Sequence, residues 1–163
     1  MLAVLVVLPT AGEGELSAEL LVSLSSTDPA EGSPSPDLAA LAGWLGDAQV
    51  VGLGESIHGV HDFRRLAHRI FAHLVERQGF SVFALEISQA HAVRLNEFVE
   101  GRRDDLDALM AERWWPAAIF YDQALRDLLV WMRRFNETAE IPIHFGGFDF
   151  KQPSFAMEAV VDG

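Results

Sequence analysis

No cysteine occurs anywhere in the 163 residues. That removes disulfide scaffolds, thiolate nucleophiles and the commonest zinc ligands together. Positive charge is scarce as well, with 12 Lys and Arg against 24 Asp and Glu and a formal net charge of -12. A chain of that sign repels phosphate backbones and anionic lipid headgroups, so neither nucleic acid nor a membrane is expected as a partner. Long apolar runs are also missing. Residues 1–9, MLAVLVVLP, have the character of a secretory apolar core but no basic residues before it, and they are too short to span a bilayer. They read as a short N-terminal strand or as residues read through upstream of the true start, with export as the alternative to the cytoplasmic location expected.

The hydrophobic content, 50% of residues, suits one globular domain with a real core. Residues 23–37, SLSSTDPAEGSPSPD, carry no apolar period and read as a linker or surface loop. A short helix follows over 38–45, where Leu38, Leu41 and Leu45 recur at helical spacing. The run AQVVGL at 48–53 reads as the first strand. Over 61–78 the spacing predicts a helix with Phe63, Leu66, Ile70, Phe71, Leu74 and Val75 on one face. Arg64, Arg65, Arg69 and Glu76 fall largely off that face, and Gly79 stops the helix. A second strand is expected at 81–85, helices at 89–99, 104–111 and 121–135, and a third strand at 143–148. In the last of those helices Leu125, Leu128, Leu129 and Met132 point inward, with Asp122, Arg126 and Arg133 toward water. Gly146 and Gly147 within the third strand point to close backbone approach. This order predicts an α/β fold, a parallel sheet with crossover helices.

Chemistry gathers where the strands end. The segment Gly-Leu-Gly-Glu-Ser-Ile-His-Gly at 52–59 places Glu55 and His58 between a strand and a helix, the position at which open α/β sheets bind ligands. Glu86 follows the second strand and Asp149 ends the third, so three carboxylates and one imidazole are expected at one sheet edge. The plainer alternative is that these acids cap the helices that follow them. Ser56 does not fit a nucleophile elbow, because His58 stands where the second glycine is required. His58 and His61, with Glu55, also have a spacing that suits a divalent metal. His61 reads as a first-turn helix residue shaping the crevice. Arg69 faces either an anionic intermediate or a surface acid. Trp115, between Trp114 and Pro116, lines an apolar pocket or plugs the core. His68, His73 and His91 read as surface or boundary residues, and His144 as a core histidine satisfied by hydrogen bonds.

The stretch 52–63, GLGESIHGVHDF, resembles the signature of the erythromycin esterase family. The likeness continues through Gly79-Phe80, the run from Val82 to Glu86, Trp114-Trp115-Pro116, Trp131-Met132-Arg133 and Gly147-Phe148-Asp149, covering residues 38–152. The resemblance implies hydrolytic opening of a macrolide lactone or related small-molecule ester without a cofactor. It implies His58 as general base, with Glu55 and Glu86 as the adjacent acids. Lactone hydrolysis needs a deprotonated water, a stabilised oxyanion and a proton for the leaving alkoxide. Glu55 would fix the tautomer of His58, and Glu86 would hold the water or the leaving-group side. His61, Arg69, Trp115 and Asp149 are then the expected substrate-binding residues. Family members are considerably longer and bring further histidines from a C-terminal half. The expected organisation is therefore an N-terminal segment and linker at 1–37 and a partial domain at 38–163, with little turnover by itself. The competing readings are a metal- or ligand-binding module on the same acids and histidines, and an inactive truncated relative.

Overall fold

The computed structural model describes residues 24–29, 37–54, 58–112 and 121–149. Among these, five helices and two strands follow in the order α1 (Ala39–Leu45), α2 (His61–Gln78), β1 (Val82–Ser88), α3 (Gln89–Val99), α4 (Leu106–Ala111), α5 (Gln123–Asn136) and β2 (His144–Asp149). They fall into two units. One holds the described residues within 62–80 and before 55; the other holds 58–61 and those from 81 onward.

In the first unit, Leu38, Ile70 and Leu74 form a buried cluster. Leu41, Leu45, Val51, Leu53, Leu66 and Phe80 pack against it. Asp62 in the first turn of α2 and Arg77 in the last match the helix dipole. Gly79, at φ +73°, adopts the left-handed conformation that ends the helix. Two expectations fail here. The apolar run at 48–53 does pack, since Val51 and Leu53 are half-buried and Gly52 is buried, but Val50 is 72% exposed and the segment is not a strand. Apolar and β-branched residues favour a strand; a strand also needs a partner to complete its ladder. The charged side of α2 is not outward either, because Arg64, His68, Arg69 and His73 are all buried beside the apolar stripe.

Arg69 is buried because it has an acceptor. Its guanidinium donates from Nη1 to Asp37 Oδ2 at 2.9 Å and from Nη2 to Asp37 Oδ1 at 2.8 Å, and Nη1 also reaches the Ser26 carbonyl at 2.7 Å. Asp37 further accepts from Ser25 N, Ser25 Oγ and Leu38 N. Arg69, by its hydrogen bonds above all, holds this carboxyl well below the usual carboxylate range. One turn earlier on α2, Arg65 pairs with Asp28 at 2.8 Å. The Ser-rich segment at 24–29 is thus strapped to α2 by two arginines at i and i+4 spacing.

The second unit is built on the parallel pair of β1 and β2, with Val82 opposite His144 and Leu85 opposite Gly147. After Leu85 the register shifts, and Ser88 lies opposite Asp149. Phe83, Leu85 and Ile87 are buried on β1, with Phe83 stacked on Phe145 at 6.2 Å between centroids. Helix α3 lies along β2 and also meets α4 and α5. The close approach expected of the glycine pair belongs to Gly147. A Cβ there would stand 2.7 Å from Ile87 O and 2.8 Å from Ala92 Cβ, whereas at Gly146 nothing comes nearer than 3.8 Å. Asn136 closes the far end of the unit, donating to Val99 O and Ile143 O and accepting from Ile143 N. An α/β architecture with parallel strands is therefore present. No helix among the described residues is long and apolar enough to cross a membrane.

Candidate functional site

The carboxyl ends of the two parallel strands meet at the Ser88–Asp149 pair. Asp149 is the last residue of β2, as expected, and is half-buried. Glu86 is not past the end of its strand but two residues inside it, within the register shift between Leu85 and Ser88. Such a bulge bends the strand and re-aims the side chains on it, which is a common use of bulges beside reactive sites. Glu86 and Asp149 thus stand on neighbouring strands at the same end of the ladder.

His58 belongs to the same unit, in an exposed turn immediately before α2. Gly59 follows at φ +83°, a backbone conformation strained for any residue with a Cβ. That glycine supports the turn at 58–59 that leads into α2 at His61. His61 is exposed, and its Nδ1 lies 3.6 Å from Asp122 Oδ2. Glu55, Ser56 and Trp115 lie outside the described residues. Arg69 sits in the other unit, given over to Asp37 and the Ser26 carbonyl as described above. Among the described residues no group of three or more metal-ligating side chains is gathered.

Three contributors escape a reading of the sequence. Asp122, expected to face water, is the N-cap of α5 and accepts from Leu125 N at 3.0 Å. Its signal was available: an aspartate immediately before an apolar-periodic run is a helix start. Tyr121, beside it, is buried, and its hydroxyl shares a hydrogen bond with His91 Nδ1, the rings lying 5.3 Å apart between centroids. His91, in the first turn of α3, is fully buried rather than at the boundary. Burial holds its imidazole below the ordinary value of 6.5, with the charges of Glu112 and Arg94 opposing one another nearby. Burial pushes the Tyr121 phenol up in turn, so both partners stay neutral at physiological pH. Arg94 pairs with Glu112 beside them. His144, expected in the core, is instead partly exposed at the start of β2, with Nδ1 3.1 Å from Glu100 Oε1.

Comparison with known proteins bears on this arrangement. Residues 75–163 match the family described as erythromycin esterase. Over 115 residues the chain is 29% identical to "Erythromycin esterase type II" of Escherichia coli, covering 69% of this chain and 26% of that protein. Among solved structures, a protein from Bacillus cereus superposes with a TM-score of 0.71 at 28% identity, covering 83% of this chain and 32% of its own. A succinoglycan biosynthesis protein gives 0.69 at 25%, covering 85% and 34%. A mutant of the erythromycin esterase EreC in its open conformation gives 0.57 at 23%, covering 77% and 29%, and shares the fold. The chain thus spans about a quarter of the curated relative and about a third of these structures.

Proposed function

The chain belongs to the erythromycin esterase family, and from that premise we propose that it supplies the His58 half of a water-using ester hydrolase acting on a macrolide lactone or related small-molecule ester. His58 takes the proton of the attacking water. Glu55 orients its imidazole, and Glu86 holds the water or the leaving-group side of the ester. The observation that supports this most is the placement of Glu86. The family match includes it, and the strand irregularity at 85–88 sets it at the carboxyl end of a parallel pair. The turn carrying His58 lies in the same unit. A general base of this kind contributes on the order of 10²- to 10⁴-fold to rate.

The test is a chimera in which this chain replaces the matching stretch of the Escherichia coli type II esterase. Mass spectrometry then follows the gain of one water by a macrolide. Hydrolysis is expected in the chimera, falling at least 100-fold with His58→Ala and more mildly with Glu86→Gln. A folded chimera that hydrolyses the lactone equally well with His58→Ala removes the assignment.

A further inference from the structure

We infer that Asp122 is a positioning residue: its carboxylate holds the imidazole of His61 with Nδ1 turned toward it, so that Nε2 is the nitrogen offered to a bound substrate. What Nε2 then does rests on the hydrolase reading above; the orientation itself does not. The carboxylate is well placed for this. One oxygen is anchored as the cap of α5 through Leu125 N, and the other faces His61 Nδ1 at 3.6 Å. The preceding residue, Tyr121, is buried and tied to His91 on α3. Two adjacent residues, 121 and 122, therefore reach one histidine each, from different helices. Tyr121 fixes the backbone in the interior, and Asp122 turns Oδ2 toward His61.

His61 needs such a restraint. It is the first residue of α2, its side chain is 50% exposed, and Asp122 is its polar contact among the described residues. An unrestrained imidazole at a helix start samples several rotamers, and in water its neutral form is mostly protonated on Nε2. The 3.6 Å separation is longer than a hydrogen bond, so it is the carboxylate's negative charge on the Nδ1 side of the ring that favours a proton there and opposes that preference. Neutral His61 then shows the substrate an Nε2 lone pair, and the imidazolium shows it an Nε2–H.

The test reads the tautomer directly, by long-range ¹H–¹⁵N correlation on the chain at a pH where imidazole is neutral, with His61→Gln to assign the signals. Nδ1–H is expected for His61 in the parent. Asp122→Ser keeps a good helix cap but removes the carboxylate, and reversion to the Nε2–H form is expected. Asp122→Thr serves the same purpose if the serine variant fails to give a helical circular dichroism spectrum. An Nε2–H form in the parent, or an unchanged tautomer in the folded variant, overturns the inference. The readout is independent of turnover. An inactive chimera with Nδ1–H on His61 counts against the hydrolase reading alone, and an active one with Nε2–H counts against the positioning role alone.

Discussion

Gly147 is the residue where the backbone leaves no freedom. A methyl group there meets two carbonyl oxygens and the Ala92 side chain, all under 3.0 Å, and backbone carbonyls cannot step aside as a flexible side chain can. Gly147→Ala is expected to destabilise the fold by about 2 kcal/mol, the usual scale of overpacking, seen as a lower urea midpoint. Gly146→Ala, with ordinary contact distances, is the control. The glycine pair was visible in the sequence as a place of close approach, but which of the two is indispensable depends on a bulge in the facing strand. The buried polar residues were not visible at all. Arg69 goes inside because Asp37 awaits it 32 residues away, and His91 because Tyr121 does so from 30 away. Composition and periodicity carry no record of such distant partners.

At the scale of elements, helices were the most legible, because apolar residues three and four apart and glycine stops are local signals. The boundaries of α2 and α3 match expectation, and α5 is displaced by its cap at Asp122. Strands were less so. β1 continues through Glu86 to Ser88 because β2 supplies hydrogen-bonding partners that far, while 48–53 has the right residues and no ladder. Asn136 shows how one side chain sets an element's position. It bonds both backbone groups of Ile143, just ahead of β2, and the last carbonyl of α3, drawing α5, α3 and β2 to one point. Asn136→Ala leaves those groups, beside a nearly fully buried Ile143, without partners. A loss of about 2 kcal/mol is expected, with amide exchange accelerated at Ile143 and along the start of β2.

Across the whole molecule, the buried histidines impose a pH dependence of definite sign. Burial holds both His73 and His91 below their ordinary 6.5 in the folded state. Below pH 6.5 the unfolded chain therefore binds more protons than the folded one, and stability falls as pH drops from there toward the folded values. Urea midpoints are expected to be flat above pH 7 and to decline as pH falls below 6.5, with a shallower decline in His91→Gln. A second loss belongs to Asp37, whose stabilising ionised form is complete above its ordinary 3.8 and disappears only as pH falls through its lowered folded value. The two losses set in at different points, the histidines' as pH falls below 6.5 and the aspartate's as it falls below 3.8.

The strap between Asp37 and Arg69 also decides where the polypeptide tolerates shortening. To the eye, residues before Leu38 are a dispensable leader, rich in serine and proline. Yet cutting at that point takes away the two-pronged acceptor of an arginine that is 4% exposed. Breaking a buried ion pair from one side costs about 3 kcal/mol or more. A version starting at Leu38 is therefore expected to melt well below one starting at Leu24, in which Ser25, Ser26, Asp28 and Asp37 are retained. Expression boundaries drawn from amino-acid composition would fall on the wrong side of the aspartate.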